Sequence, residues 1–343
     1  MMSRMVKISV IGFGRIMELV HLPLIKRVDN LAITGIYDVT PERLALAEKR
    51  KFPTYSELDA MLASDADVVL VATPPSLHYA HAKQALEAGK HVLVEKPISL
   101  HAHEAVALRE LSQRVGKSIT VFHNRRYDAD YLAVKSCLES GRLGEVQFVE
   151  RRHHMFGSGA SFAVKSFDPN WRNKPELGGG ALLDWGVHIA DQLMQLQLGA
   201  IASLRACSRT LPWKQGEVED YVHAQLGLAN GIQLVMDINF ASYAASPLWI
   251  VGGSEATLVV LSEQEAWLHR RGVEPERWPL PSVSRFAALP IYQGLVAHVT
   301  DGSPLEIDVE QAIAVMELLD QIRESDKKEE SHANHLFLAT GGI

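Results

Sequence analysis

A chain of 343 residues, 47% hydrophobic and 22% charged, is ordinary globular material, long enough for two domains with real cores. Its net charge of −7, with acids and bases interspersed and no concentrated basic face, argues against nucleic acid as a partner. Two cysteines, Cys137 and Cys207, make no framework, no apolar run approaches a spanning helix, and the N-terminus enters a strand directly. A soluble cytoplasmic protein with no membrane partner is therefore expected.

Val6–Ile11 reads as a short apolar strand, and Gly12-Phe13-Gly14-Arg15-Ile16-Met17 follows at once. A helical stretch to about Val28 leads to a second strand, Leu31–Tyr37, ending at Asp38. This is the order of a dinucleotide-binding βαβ unit, the Rossmann arrangement. Gly12 permits the tight turn, and Gly14 lets the backbone approach a pyrophosphate at the helix N-terminus. Asp38, placed after the second strand, can accept hydrogen bonds from ribose hydroxyls. Met17 departs from the pattern, standing where a third Gly or Ala would allow close helix–strand packing. Asp38-Val39-Thr40 offers no cation for a 2′-phosphate, so NAD is favoured over NADP; Arg43 is the one nearby residue that softens the preference.

Apolar strands then alternate with helices, which predicts a parallel sheet. The strand Ala66–Thr73 ends in Thr73-Pro74-Pro75-Ser76-Leu77-His78, the strand His91–Val94 in Glu95-Lys96-Pro97, and the strand Ser118–Phe122 in His123-Asn124-Arg125-Arg126-Tyr127. The carboxyl ends of these strands converge on the rim where ligands bind in such sheets. The expected cofactor set is Gly12, Phe13, Gly14, Arg15, Ile16, Asp38, Arg43, Thr73, Pro74, His78, Glu95, Lys96 and Asn124.

Beyond Tyr127 the pattern changes. A helix over Asp128–Ser140 is followed by Glu145–His154, Ala202–Thr210, Tyr221–Leu228, Ile232–Phe240, Leu248–Val251, Ala256–Leu261 and Ala266–His269, all reading as strands. Asn230-Gly231 is a hairpin signal. Short connections between successive strands predict an α+β domain with a large, mostly antiparallel open sheet. The division expected is 1–123 for the dinucleotide domain and 124–343 for substrate binding and oligomerisation, with the helix over 308–323 a candidate to pack back on the first domain. Within the long loop Met155–Leu177, which carries Phe156, Phe162 and Phe167, Trp171 and Arg172 are candidate walls for a substrate. Arg151-Arg152-His153-His154 reads as a polar strand face, and Glu263–Ser284 as an exposed excursion.

The stretch Gly178-Gly-Gly-Ala-Leu-Leu-Asp184-Trp-Gly-Val-His188-Ile-Ala-Asp191 places Asp184, His188 and Asp191 at i, i+4 and i+7. On an α-helix they share one face. A satisfied buried Asp–His pair and a catalytic pair both fit. A metal site is disfavoured because no Cys or second His completes a shell, and no metal is expected.

Together the Gly12–Ile16 turn, Thr73–His78, Ala88–Pro97 with its Glu-Lys-Pro, and Gly178–Asp191 resemble the Gfo/Idh/MocA family of glucose–fructose and inositol dehydrogenase-like oxidoreductases. His123–Tyr127 and Leu143-Gly-Glu145 look most like the inositol dehydrogenase-like branch. The resemblance implies that Lys96 and His188 are the catalytic pair with Asp184 beside them, and that Lys96, Asn124, Arg125, Tyr127, Trp171, Arg172, Asp184 and His188 meet the substrate. The implied activity is NAD(P)-dependent hydride transfer to or from a secondary alcohol of a sugar, sugar derivative or cyclitol. A glycoside-cleaving enzyme that recycles NAD through oxidation and elimination, and a non-catalytic NAD(H) sensor, are the alternatives. A homodimer or homotetramer through the open sheet is expected.

Overall fold

The computed structural model describes residues 4–157, 168, 170–211 and 217–339, the last twelve by backbone alone. Phe162 and Phe167, singled out above, lie outside the described residues. The chain divides into two units. The first holds residues 4–124 with 168, 170–179 and 284–316; the second holds 125–157, 180–211, 217–283 and 317–339.

In the first unit six strands form one parallel sheet: β1 (Val6–Ile11), β2 (Leu31–Tyr37), β3 (Thr54–Tyr55), β4 (Val68–Val71), β5 (His91–Val94) and β6 (Ile119–Val121). Their order is β3-β2-β1-β4-β5-β6, the doubly wound order with its switch point between β1 and β4. Val68–Val71 and Val92–Val94 are buried, as strands covered on both faces must be. The helix Ala102–Val115 begins in a His101/Glu104 capping box and ends at Gly116 in the left-handed region, so its bounds are written locally.

Met17 is accommodated rather than excluded. It is fully buried, and the helix opens with a π-turn over Met17–His21 before the α-turn Leu22–Ile25. The wider π-turn makes room for the extra side-chain volume that Gly or Ala would not have needed.

Segments 170–179 and 284–316, expected with the second domain, belong to the first unit. The reason is close packing: an added Cβ on Gly178 would lie 2.7 Å from both Pro75 and Leu100. Tyr292 is fully buried against His21, and Thr120 Oγ1 donates to the carbonyl of Ile307 at 2.7 Å. The helix predicted over 308–323 runs Val309–Ala339; its residues to Met316 fall in the first unit and the rest in the second.

The second unit is built on eight strands: β7 (Val146–His154), β8 (Ile201–Arg209), β9 (Tyr221–Leu228), β10 (Gln233–Asn239), β11 (Trp249–Gly253), β12 (Thr257–Ser262), β13 (Glu265–Arg270) and β14 (Val273–Arg277). They lie in the order β14-β13-β12-β11-β7-β10-β9-β8, antiparallel except for the β7–β10 pair. Asn230-Gly231 turns β9 into β10 as expected, with Gly231 at φ 92°. The strand β14 lies within 263–284, the stretch read as an exposed excursion, and four of its five residues are exposed. Val-Glu-Pro-Glu-Arg has no apolar face to announce it, and an edge strand needs none. Inside the unit, Asp130 of the helix Ala129–Glu139 accepts from Trp249 Nε1 at 2.9 Å and pairs with buried Arg151 at 3.2 Å.

Candidate active site

In the first unit the expected cofactor residues gather on one rim. Gly12 at φ 94° brings the turn so close to β4 that a Cβ would sit 2.6 Å from the Ala72 carbonyl oxygen. Beside it Gly14 has no atom within 4 Å of where a Cβ would stand, so the backbone there faces open space. Asp38 accepts from the Phe13 amide at 2.7 Å through Oδ2 and from the Thr40 amide at 2.8 Å through Oδ1. Each carboxylate oxygen keeps a second lone pair for a ribose hydroxyl. Arg15 and Ile16 are exposed above this turn, while the Phe13 side chain is fully buried against Phe52 and contributes only its backbone. Open space at Gly14 beside the Asp38 carboxylate fits a dinucleotide.

Three members of the expected set are placed differently. Arg43 is 6% exposed and engaged by Glu18 at 2.6 Å, with Arg50 on the other oxygen of Glu18, so its cation is committed inside the protein. His78 is buried with both ring nitrogens at backbone carbonyls, Nδ1 at Pro97 (2.6 Å) and Nε2 at Thr73 (2.8 Å). Burial pulls its pKa down, which keeps this ring a neutral staple between two strand-end loops. Glu95 is 7% exposed and turned inward to His21 at 2.7 Å, while its second oxygen accepts the Lys96 amide at 3.0 Å. Thr73, Pro74, Lys96 and Asn124 stand at the strand ends as read, with Thr73 Oγ1 3.2 Å from His81 Nδ1. Trp171 and Arg172 fall in the first unit on a single 3-10 turn, the guanidinium 4.3 Å above the indole.

The second unit carries Asp184 and His188. The uninterrupted α-helix expected there is instead a π-turn, Leu182–Gly186, running into the α-helix Val187–Gln195. Asp184 lies in the π-turn, half-buried, and His188 in the first turn of the α-helix, 6% exposed. The spacing i, i+4, i+7 therefore does not describe a plain α-helical face. Asp191 is occupied by Arg126 in a two-pronged ion pair at 2.6 and 2.9 Å. This ion pair ties the helix to the Asn124–Tyr127 turn.

The triple glycine serves close packing within the protein. A Cβ on Gly179 would meet the Arg172 carbonyl oxygen at 2.4 Å, and one on Gly180 (φ 114°) would meet Glu219 Oε1 at 2.4 Å. These glycines let protein pack on protein. Glu219 is the purpose of the approach: its Oε1 accepts the Leu182 amide at 2.9 Å and its backbone oxygen the Ala181 amide at 2.9 Å. A carboxylate thus caps the first turn of the helix that bears Asp184 and His188.

Trp185, to which no role was assigned above, and His153, read above as part of a polar strand face, stand beside His188. The His153 ring stacks on Trp185 with centroids 3.3 Å apart, the Arg125 guanidinium lies 4.1 Å over the same indole, and His188 stands edge-to-face to it at 5.8 Å. Arg125 is steadied by Asp128 at 2.7 Å, and burial lifts the Asp128 carboxyl to about 6. Burial pulls His153 down to about 3, so it stays an uncharged plate. Strand alternation would have found it: Val149, Arg151 and His153 share the inward parity, and Glu150, Arg152 and His154 the outward one. The tetrad Arg151–His154 is therefore half interior. Beneath, Arg151 Nε donates to Gln192 Oε1 at 3.1 Å, and Gln192 Nε2 to the Arg125 carbonyl at 2.8 Å. Tyr127 closes the 3-10 turn Asn124–Tyr127 that carries Arg125. Among the described residues no three His, Cys, Asp or Glu side chains form a metal cluster, and no helix is long and apolar enough to cross a membrane.

Residues 6–123 match the oxidoreductase family with a NAD-binding Rossmann fold, and residues 131–259 match the GFO/IDH/MocA C-terminal domain. The scyllo-inositol 2-dehydrogenase (NADP(+)) IolW of Bacillus subtilis is 25% identical over 94% of both chains. The oxidoreductase YdgJ of Escherichia coli is 30% identical over 75% of this chain and 72% of its own. A NAD-binding protein from Listeria innocua superimposes with a TM-score of 0.85 at 27% identity, over 95% of this chain and 96% of that one. With more than half its length matched by these two family models, the chain belongs to the GFO/IDH/MocA oxidoreductases and carries their NAD-binding Rossmann domain.

Proposed function

We propose that the protein is a NAD-dependent dehydrogenase acting on a secondary alcohol of a sugar, sugar derivative or cyclitol. The observation that carries this reading is His188: a nearly buried imidazole on a helix capped by Glu219, set edge-on to Trp185. When bound, the dinucleotide supplies the hydride acceptor. His188 takes the hydroxyl proton, and Asp184, one turn earlier, orients its ring and stabilises the imidazolium. Lys96 donates to the substrate oxygen as alkoxide charge develops. Arg125, Tyr127, Asn124, Trp171 and Arg172 are the groups assigned to hydroxyl recognition. The many hydroxyls of a polyol suit this donor-rich set.

NAD is the cofactor this reading favours, since Asp38 presents a carboxylate where a 2′-phosphate would need a cation and Arg43 is held by Glu18. The name of the Bacillus relative makes NADPH the comparison to run. The protein is further read as cytoplasmic and as self-associating through the outward face of its eight-stranded sheet, which size-exclusion chromatography with light scattering would measure. The decisive experiment titrates NADH and NADPH by fluorescence, then screens inositols, aldoses and glycosides for NADH formation. His188→Ala and Lys96→Ala should bind NADH normally and lose turnover; full turnover in both would overturn the mechanism.

A further inference from the structure

The fingerprint helix and the segment 284–316 each contribute one buried residue to which the proposed reaction gives no part. His21 closes the π-turn after the glycine loop, and Tyr292 lies in the first turn of the helix Leu289–Asp301. Both are fully buried. His21 Nδ1 is 2.7 Å from Tyr292 Oη, and His21 Nε2 is 2.7 Å from Glu95 Oε1. The other oxygen of Glu95 accepts the backbone N–H of Lys96 at 3.0 Å. The imidazole is held from the side by Phe122, with ring centroids 4.4 Å apart.

We infer that His21, backed by Tyr292, is a positioning residue for Lys96, acting through the Glu95 carboxylate that holds the Lys96 amide. The inference rests on the reading of Lys96 as the group that meets the substrate oxygen. A buried carboxylate is a costly anion, and burial alone pushes Glu95 toward the protonated form. Against burial stand the hydrogen bond from His21 and the nearby Lys96 cation, and the Glu95 carboxyl lies below the usual carboxylate range. Tyr292 is the remaining polar group facing this network, and burial together with the Glu95 charge keeps it a phenol. With Tyr292 donating to Nδ1 and Nε2–H donating to Glu95, one neutral tautomer of His21 satisfies all three groups.

Removing the ring leaves the burial in place without the donor. Glu95 then binds a proton more readily, and its grip on the Lys96 amide weakens. Immediately after Lys96 the carbonyl of Pro97 is held by His78 Nδ1 at 2.6 Å, so the residue is braced from both neighbours in sequence. Loss of one brace lets Lys96 drift, and small displacements of a catalytic group are expensive in rate.

The test uses the full chain. In the cofactor-free protein, infrared spectroscopy assigned with Glu95→Gln reads the ionisation of Glu95 directly. In His21→Leu it should titrate at a higher pH than in wild type. With substrate, His21→Leu should lower kcat on the order of 10-fold to 10²-fold, with NADH affinity within about threefold. Its kcat should climb with pH as Glu95 deprotonates. His21→Gln, which keeps a donor for Glu95, should recover part of the loss, and Tyr292→Phe should show a smaller defect. A folded His21→Leu with an ionised Glu95 and the wild-type pH profile of kcat overturns the inference. So does loss of thermal stability alone. If His21→Leu does not fold, His21→Gln and Tyr292→Phe decide by the same readouts. Full turnover in Lys96→Met would instead overturn the reading of Lys96, while the infrared titration still reports on the relay.

Discussion

Among the described residues two helices begin with a π-turn, and each delivers a histidine. The first-unit turn Met17–His21 ends in an imidazole with no exposure and both nitrogens committed, to Glu95 and Tyr292. The second-unit turn Leu182–Gly186 is followed by His188, 6% exposed beside Trp185. The same backbone device serves opposite ends. In the first it absorbs a bulky Met17 at a position meant for a small residue and locks the ring into a network. In the second it places Asp184 and His188 at the head of a helix anchored from outside by Glu219. A π-turn re-aims a side chain, and what that side chain does is set by the polar groups around it.

The largest effect that separates the two is on turnover. His188→Asn should lower kcat roughly 10²-fold to 10⁴-fold with little change in melting temperature, because the proposed general base is lost while the side chain stays polar and close in size. A stability loss as large as that of His21→Leu would erase the contrast, and differential scanning fluorimetry beside steady-state kinetics measures both. Next comes the brace behind the helix that carries His188. Breaking the Arg126–Asp191 pair with Asp191→Asn should cost about 3–5 kcal/mol in denaturant unfolding, since a nearly buried guanidinium is left without its counter-charge. Smaller again is Gly180→Ala. It asks an L-residue to adopt φ 114° and pushes a Cβ into Glu219, for roughly 1–3 kcal/mol and a fall in kcat as the cap on Leu182 loosens.

The smallest effect is electrostatic. Burial raises Asp128 to about 6 from an ordinary 3.8, so the native protein holds this proton more tightly than the unfolded chain does. Its contribution to stability is therefore fully present below about pH 4 and lost as pH rises through about 6. Asp128→Asn should flatten that part of the melting-temperature profile. It should also remove a change in alcohol KM near pH 6, where ionised Asp128 steadies Arg125 over Trp185. An unchanged slope would mean that Asp128 does not titrate in this window.

The sequence by itself determined the strand–turn–helix order of the first unit, the strand-end rim with Asp38, Thr73 and Lys96, and most strands of the second sheet. These follow from local rules: glycine's freedom at Gly12, the period-2 alternation of strands, and prolines that stop them. It also marked Asp184 and His188, because an acid and an imidazole inside an apolar run demand an account. Tertiary structure alone decided the rest. Glu95 was legible as a residue of the rim, but its inward turn depends on His21, 74 positions away, and on Tyr292, 271 positions from His21. The triple glycine announced close approach, yet only the fold revealed that Glu219, 37 residues beyond Leu182, is what approaches. Both π-turns were hidden for the same reason. A widened turn has no composition of its own, and arises when the packing around a helix asks for one more residue than an α-turn holds.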